Sequence, residues 1–150
     1  MLRLSKLTDY AIVILSFIAK DDSRVFSAVE IATSTGIATP TVSKLLKLLV
    51  NAKVLTSTRG SKGGYALAAQ ARDITLVTVI NAVEGAIALT ECSVSEKNCT
   101  QASGCHIYGN WQRINQTIHN ALAAVSLADM IKPIMPKEIH IPIANITKSN

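Results

Sequence analysis

The feature that most constrains this chain is a series of helix start and stop signals in residues 26–55, FSAVEIATSTGIATPTVSKLLKLLVNAKVL. Ser27, with a Glu three residues later, forms a capping-box pattern that predicts the start of a helix. Gly36 suits the positive φ of a tight turn. Thr39 is a good N-cap, and Pro40 then takes the first helical position, where its missing N–H does no harm. These signals predict two short helices joined by a tight turn.

The second of these helices has one apolar face and one polar face. An apolar stripe follows the i, i+3, i+4, i+7 spacing of a buried helix face. Ala32 in the first helix is small where the two helices would cross. The combination predicts a helix-turn-helix, with an ordinary helical hairpin as the alternative. The apolar stripe consists of Val42, Leu45, Leu46 and Leu49. The outward face, which supplies the candidate DNA contacts, consists of Thr39, Thr41, Ser43, Lys44 and Lys47.

A β-hairpin is predicted directly after this helix, in VLTSTRGSKGGYAL at residues 54–67. Alternating side chains indicate two strands, and the Gly-rich centre indicates the turn. The tip carries Arg59 and Lys62, and it lacks the residue order of a phosphate-binding loop. A helix-turn-helix followed by such a hairpin is a winged helix, a mainly α fold with a small β-hairpin. The two basic residues would then contact the DNA backbone or the minor groove.

The charge of the chain is concentrated in the same region. The formal net charge is +5, and residues 1–75 hold ten Lys/Arg against five Asp/Glu. Residues 31–72 contain six basic residues and no acidic one. An acid-free basic segment is typical of binding to a polyanion, most often nucleic acid. A solvated basic face has the same composition and is the alternative interpretation.

Two helices are predicted beyond the hairpin. Residues 75–84 would form a short helix that ends at Gly85 and buries Val77, Ile80 and Val83. A long helix would follow later in the chain, because apolar residues there repeat at alternating steps of four and three. Such a heptad-like seam must be buried, and a homodimer buries it simply; packing onto the chain's own domain is the alternative. The seam consists of Ile107, Trp111, Ile114, Ile118, Ala121, Val125 and Ala128.

All three cysteines lie between these two helices, in TECSVSEKNCTQASGCH at residues 90–106. The spacing Cys92-x6-Cys99-x5-Cys105 matches neither a zinc ribbon nor a bacterial ferredoxin run. Thiolates are soft ligands suited to iron–sulfur clusters, and a segment with Gly and Ser can wrap three of them around something larger than one ion. Four metal bonds are usual, so one ligand is missing. The candidates for it are Asp9, Glu91, His106 and a small exogenous molecule.

The two ends of the chain carry weaker signals. The apolar run at residues 11–19 is too short to span a bilayer and is followed by no cleavage site, so we expect a buried helix in a cytoplasmic protein. Thiols stay reduced there, which favours metal or redox chemistry over disulfides. The tail holds three of the four prolines and cannot be helical throughout.

The predicted parts are a winged helix-turn-helix domain (1–85), a cluster-binding loop (86–106), a dimerisation helix (107–130) and a C-terminal tail (131–150).

Several of these motifs together resemble the iron–sulfur winged-helix regulators that include IscR and NsrR, and they look closest to the branch that regulates SUF cluster assembly. The similarity covers about residues 1–130. It implies a homodimeric repressor or activator that binds operator DNA, with a 2Fe–2S or 4Fe–4S cluster held by Cys92, Cys99 and Cys105. The motifs are LRLSKLTDYA, TPTVSKLLKLL, STRGSKGGYAL, EG at 84–85, LTEC, the other two cysteines and NWQRIN.

The fourth cluster ligand varies among the proteins that this chain resembles. IscR uses a His three residues past the last cysteine, and that place is Tyr108 here. NsrR-like proteins use an acid near the start of helix 1, which Asp9 matches, and which would come from the partner subunit. The resemblance therefore implies Asp9 first and His106 second. IscR also has an acid at the position of Ser43, which implies a different operator preference.

Three interpretations of the function are compatible with these sequence features. A cluster-gated transcription regulator uses both the winged helix and the cysteines; repression of SUF genes is its implied output, and nitric-oxide or redox sensing is an alternative signal. A redox carrier would leave the basic winged helix without a role. A winged helix with structural zinc would be colourless, whereas an iron–sulfur protein is brown. No enzyme activity is predicted, because His106, His119 and His140 have no plausible nucleophile and acid beside them.

Overall fold

The computed structural model describes residues 3–90, 93 and 105–132 of the 150-residue chain. Within these residues the fold is mainly helical, with one two-stranded antiparallel sheet. The helices are α1 (Lys6–Ile18), α2 (Ala28–Thr35), α3 (Thr39–Asn51), α4 (Leu76–Glu84), α5 (Tyr108–Ala123) and α6 (Leu127–Ile131), and the strands are β1 (Leu55–Thr58) and β2 (Gly64–Leu67).

Helices α2 and α3 form the predicted helix-turn-helix. Ser27 is the N-cap of α2, and its hydroxyl accepts a hydrogen bond from the amide of Glu30 at 3.2 Å. The Glu30 carboxylate does not complete the predicted capping box; it accepts a hydrogen bond from Arg24 at 2.7 Å instead. Gly36 ends α2 with a φ of 72°, the left-handed conformation that the turn requires.

The predicted N-cap of α3 is wrong by one residue. The N-cap is Ala38, which has no side-chain oxygen, and Thr39 is the first helical residue. The amides of Thr41 and Val42 both bond the Ala38 carbonyl, at 2.9 and 3.0 Å, so the helix already begins there. Pro40 fixes the backbone of the first turn without a hydroxyl cap. The buried face agrees with prediction: Val42, Leu45, Leu46 and Leu49 are fully buried.

The hairpin lies where the wing of a winged helix is expected. Leu55 pairs with Leu67 and Thr58 with Gly64 in antiparallel register. Phe26, just before α2, bonds Tyr65 through both its amide and its carbonyl, at 2.9 and 2.8 Å, and so ties the hairpin to the helices. A Cβ on Gly64 would lie 2.7 Å from the Phe26 carbonyl oxygen, which is why glycine is needed at this crossing.

Helix α4 agrees with prediction at both ends. The Thr75 hydroxyl caps its start by accepting from the amide of Thr78 at 3.3 Å, and Gly85 ends it at a φ of 87°. Val77 and Ile80 are buried, and Val83 is half-buried against the core. The helix brings the chain from the hairpin to the segment that contains the cysteines.

The predicted continuous helix over residues 107–130 is wrong, because the structure has two helices there. Helix α5 ends at Ala123. Ser126 then starts α6 with a complete capping box, in which its hydroxyl and amide exchange hydrogen bonds with Asp129. A capping box satisfies the free amides of a new first turn, so it favours a fresh helix start over continuation.

Backbone contacts with residues 74 and 76 hold this break in place. The Leu76 amide donates to the carbonyl of Val125, and the Leu127 amide donates to the carbonyl of Ile74, both at 2.8 Å. Leu127 is buried in the same core as α1 and α3. The end of the predicted seam therefore packs onto its own domain, as in the alternative interpretation, whereas α5 contains no buried residue.

A single hydrophobic cluster connects the helices with the base of the hairpin. Ile14, Leu15 and Ile18 of α1 lie in it, fully buried. Thr8 is the buried polar residue among those described. None of the helices in residues 3–90 and 105–132 combines the length and the apolar character needed to cross a bilayer.

Candidate nucleic-acid interface and cysteine segment

The outward face of α3 carries the predicted DNA-contacting residues in an accessible arrangement. Thr39, Lys44 and Lys47 are exposed, and Thr41 and Ser43 are half-buried. The first turn of α3 has no acidic residue, so its free amides and the positive end of the helix dipole can face an anion. This helix can therefore approach a phosphate backbone without repulsion.

The wing adds a second basic element beside α3. Arg59 and Lys62 are exposed at the tip, where the Gly63 amide donates to the Gly60 carbonyl at 3.0 Å and closes the turn. Lys47 and Ser57 line the same shallow depression, so the end of α3 and the base of the wing adjoin. Helix and wing together form one basic surface.

No ion pair among the described residues neutralises the basic residues of this surface. The ion pairs of the described residues involve Arg24, Arg72 and Lys132, and none of them uses a basic residue of α3 or of the wing. Unpaired cations on an exposed surface release counterions when they bind phosphate, which gives salt-dependent affinity for nucleic acid.

The start of α1 is tied to the end of α4 by one carboxylate. Glu84 accepts hydrogen bonds from the Thr8 hydroxyl and from the Ser5 amide, the latter at 2.8 Å. The Thr8 hydroxyl, followed by the Ser5 amide, holds the pKa of Glu84 below its usual 4.5. Arg3 and Glu84 both line a cleft of about 360 Å³ between the start of α1 and residues 85–89. The residues just before α1 thus lie beside the chain that leads to the cysteines, and Asp9 in the first turn is not among the residues that line the cleft.

We expect Glu84→Gln to reduce stability at neutral pH by roughly 0.5–1 kcal/mol, because it weakens two charge-assisted hydrogen bonds at a partly exposed site. A carboxyl whose pKa is lowered by folding stabilises above its unfolded pKa, and it loses that contribution as the pH falls through the folded pKa. The difference between wild type and variant should therefore be full at pH 7 and shrink below about pH 4.5. Urea unfolding at several pH values measures it.

Asp22→Asn serves as the control, because Asp22 is an exposed carboxylate outside this junction. It should leave stability nearly unchanged at every pH. A Glu84→Gln deficit that stays the same from pH 7 to pH 3.5 would contradict the role assigned to the ionised carboxylate.

Asn115 of α5 makes two hydrogen bonds to the backbone just before the cysteine segment. Its side-chain oxygen accepts from the Leu89 amide at 3.1 Å, and its side-chain nitrogen donates to the Ile87 carbonyl at 3.2 Å. Both bonds go to backbone, so they fix the path of residues 87–89 whatever the side chains there. The far end of the segment also meets α5, since the Tyr108 amide bonds the Cys105 carbonyl at 3.3 Å.

The predicted cluster ligands are placed only in part. Cys105 is half-buried, and His106 and Asp9 are exposed. Cys92 and Cys99, like Glu91, lie outside the described residues. Among residues 3–90, 93 and 105–132, no three His, Cys, Asp or Glu side chains come together as a metal site. The predicted ligand set therefore remains a prediction.

No role was predicted from the sequence for the residues that connect α1 with α4 or that connect α5 with the chain before the cysteines. Thr8, Glu84 and Asn115 each make contacts across 26 or more positions of sequence. Glu84 and Asn115 do lie in the EG and NWQRIN motifs of the resemblance. Those two motifs were the only sequence signal for these contacts, and they gave no physical reason for them.

One side of α5 remains open in the single protomer. Ile107, next to the first turn, is 55% exposed and Ile114 is 46% exposed. Trp111 and Ile118, on the same seam, are half-buried. Asn115, about 100° round the helix from Ile114, faces its own chain. The structure thus leaves the predicted seam accessible over the length of α5.

A winged helix with an exposed basic recognition helix and a basic wing defines a DNA-binding transcription regulator. The chain belongs to the Rrf2 family: the family model, described as an iron-dependent transcriptional regulator, matches residues 4–133. The family match and the similar proteins below confirm the expected class of regulator, and none of them is an enzyme.

Among curated proteins, the chain is similar to Protein rrf2 of Nitratidesulfovibrio vulgaris (strain Hildenborough), with 32% identity over 69% of each chain. It is also 30% identical to the HTH-type transcriptional regulator IscR of Vibrio atlanticus over 69% of its own length. That alignment spans 59% of the Vibrio protein, so the relative is longer.

Two solved structures share the fold over most of the chain. CymR, the global cysteine regulator of B. subtilis, matches with a TM-score of 0.67 and 26% identity, covering 87% of this chain and 97% of CymR. T. potens IscR matches with a TM-score of 0.64 and 25% identity, covering 87% and 86%. Both neighbours support the winged-helix architecture described above.

Proposed function

We propose that the protein is a cytoplasmic, homodimeric repressor whose binding to operator DNA is controlled by an iron–sulfur cluster, with genes of SUF cluster assembly as its target. One observation carries the proposal: both ends of the cysteine segment are attached to α5. Asn115 holds the entry at Ile87 and Leu89, and Cys105 runs directly into the first turn. A change at the thiols would therefore act on the helix that carries the open seam.

The DNA-binding part of the proposal uses the basic surface of α3 and the wing. Helix α3 would enter the major groove, with Thr39, Thr41, Ser43 and Lys44 near bases or phosphates. Lys47 would contact phosphate, while Arg59 and Lys62 would contact the backbone or the minor groove. Two such heads in a dimer read two half-sites, so the spacing of the heads selects the operator.

The donor set fits an iron–sulfur cluster. Cys92, Cys99 and Cys105 would supply three thiolates, which are the preferred ligands of such clusters. Asp9 of the partner subunit is the first candidate for the fourth ligand, and His106 is the second. A cluster held there would supply a redox-active centre that oxidants and nitric oxide can attack at its weakest ligand.

The other proposed steps, which link the cluster to the DNA-binding surface, use residues of this chain. Ligation of Cys105 would fix the turn before α5, since only two residues separate it from Tyr108. Glu84 and Asn115 would hold the entry of the segment against α1 and α5. Release of the thiols would free the Cys105 end of the segment while Asn115 keeps its entry in place, and the angle between the two DNA-binding domains of the dimer would change.

The likeness to CymR favours a second candidate: a regulator of the same fold that responds to a cysteine-related signal without a cluster. Nitric-oxide or redox sensing and a structural zinc site are further variants of the same architecture. Metal and sulfide analysis separates them. Iron with acid-labile sulfide supports a cluster, zinc alone supports the structural site, and neither supports the cluster-free regulator.

The test of the proposal is anaerobic purification followed by absorption and Mössbauer spectra, iron and sulfide analysis, and gel shifts of the holo and apo forms on a SUF promoter. The proposal expects a brown protein whose two forms differ in operator affinity. A protein without iron and sulfide, or two forms with equal affinity, would contradict it.

Arg59→Ala should weaken operator binding and reduce the slope of log affinity against log salt by about one unit, because one phosphate contact fewer releases about one counterion fewer. Fluorescence anisotropy at several salt concentrations measures both quantities. Lys20→Ala removes an exposed cation outside the basic surface and should leave the slope unchanged. An unchanged slope in Arg59→Ala would remove the wing tip from the DNA interface.

A further inference from the structure

A partly apolar groove has no assigned role in DNA binding or in the cysteine segment. It has a volume of about 420 Å³ and lies between α1, the end of α2 and α6. Val13 and Met130 line it and are 40% and 46% exposed, and Phe17 lies half-buried beside them. Exposed aliphatic side chains that converge in one groove indicate a binding surface for another apolar segment.

We infer that this groove binds the C-terminal tail of the same chain, with Ile139, Ile141 and Ile143 as the inserted side chains. The inference does not depend on the proposed function. Met130 lies in the groove wall, and Lys132 is the last residue that the structure describes. The chain then continues for 18 residues, so the tail begins at the groove. Ten extended residues reach roughly 33 Å, which is more than enough to follow such a groove.

The composition of the tail fits this surface. Its isoleucines alternate with His140 and Pro142, so an extended backbone places all three on one side. Pro142 restricts the backbone and reduces the entropy lost on binding. Glu138 directly precedes Ile139, and the exposed Lys20 lies in the groove wall with the opposite charge.

A tethered segment has an advantage over any separate partner. A short linker gives an effective concentration of around millimolar, so even weak apolar contacts favour the tail of the same chain. Six isoleucine and methionine side chains in residues 133–150 would otherwise lie in water. Binding in the groove would bury apolar side chains of the tail and of the groove together.

Photo-crosslinking in the full-length protein tests the inference. Benzoylphenylalanine replaces Val13, unlabelled and isotope-labelled proteins are mixed, and crosslinked peptides are identified by mass spectrometry. We expect the main crosslink to join α1 to residues 138–143 with both peptides from one chain. Benzoylphenylalanine at Val29, which is 65% exposed on α2 but outside the groove wall, should give at least fivefold less of it.

A matched pair of tail variants gives a second measurement. Ile141→Asp should reduce the Val13 crosslink at least fivefold, whereas Thr147→Asp, with the same added charge, should not. Crosslinks to the tail of the other chain, to a folded part of a second copy, or to no part of the protein would overturn the inference. So would a yield that Ile141→Asp leaves unchanged.

Discussion

Replacing Cys105 with Ser should reduce the iron and sulfide bound per protomer at least tenfold. Three thiolates are already one ligand short of the usual four, so the loss of another leaves two and a hydroxyl that binds iron poorly. Cys105 is also the predicted thiolate ligand nearest to α5 in sequence, and its carbonyl accepts the Tyr108 amide. The serine keeps that backbone bond and removes the side-chain sulfur, so it should break the link from the metal site to the helix at the thiolate.

The operator affinity of Cys105→Ser should equal that of wild-type apo protein and differ from that of the holo form by roughly tenfold, or about 1.4 kcal/mol. Anaerobic metal analysis and anisotropy on the same preparation provide both readouts. Ser103→Ala, two positions earlier in the same segment, controls for the disturbance of a substitution and should keep the iron. Retained iron in Cys105→Ser would refute the ligand assignment, while lost iron with holo-like affinity would refute the control of DNA binding.

The DNA-binding half of the molecule could be predicted because its signals are local. Ser27, Gly36 and the apolar stripe of α3 each act within a few residues, where capping, left-handed turns and helical periodicity are decided. Even there, the exact cap of α3 escaped prediction. Thr39 suits an N-cap, but the carbonyl of Ala38 already accepts the first helical bonds, so Thr39 became the first helical residue.

The break between α5 and α6 shows the limit of periodicity. An apolar spacing of four and three runs through both helices, so the pattern alone favoured one long helix. The Ser126 and Asp129 capping box was visible in the sequence, but it became decisive only through the bonds of Val125 and Leu127 to the backbone before and within α4. Such contacts depend on tertiary structure and leave no mark in a local window.

The metal site stays a prediction from residue type and spacing, and its connections to the fold were not predicted. Cysteine grouping indicates soft-metal chemistry from composition and spacing alone. The attachment of the segment depends on Asn115, which reaches backbone groups 26 and 28 positions away, and on Glu84, which reaches Thr8 76 positions away. No periodic pattern encodes these distances, so only the folded chain reveals them.

Ile114→Asp should convert the proposed dimer to monomers and weaken binding to a palindromic operator by roughly 100-fold, or about 2.7 kcal/mol. Ile114 is 46% exposed on the open side of α5, where a second copy of the seam would cover it. A carboxylate there is solvated in the monomer but would be buried and unpaired between two helices, which costs several kcal/mol. Sedimentation velocity and operator anisotropy are the measurements.

The exposure of Ile114 also separates an effect of its replacement on dimerisation from an effect on folding. Because Ile114 is not in the core, the helical content of the variant should match that of the wild type by circular dichroism. Gln116→Asp, an exposed position on a different side of α5, is the matched control and should remain dimeric. A dimeric Ile114→Asp protein would show that the seam is not the interface. A monomeric variant with wild-type operator affinity would show that the two DNA-reading heads need not be paired, and the control of their spacing by the cysteine segment would then have no basis.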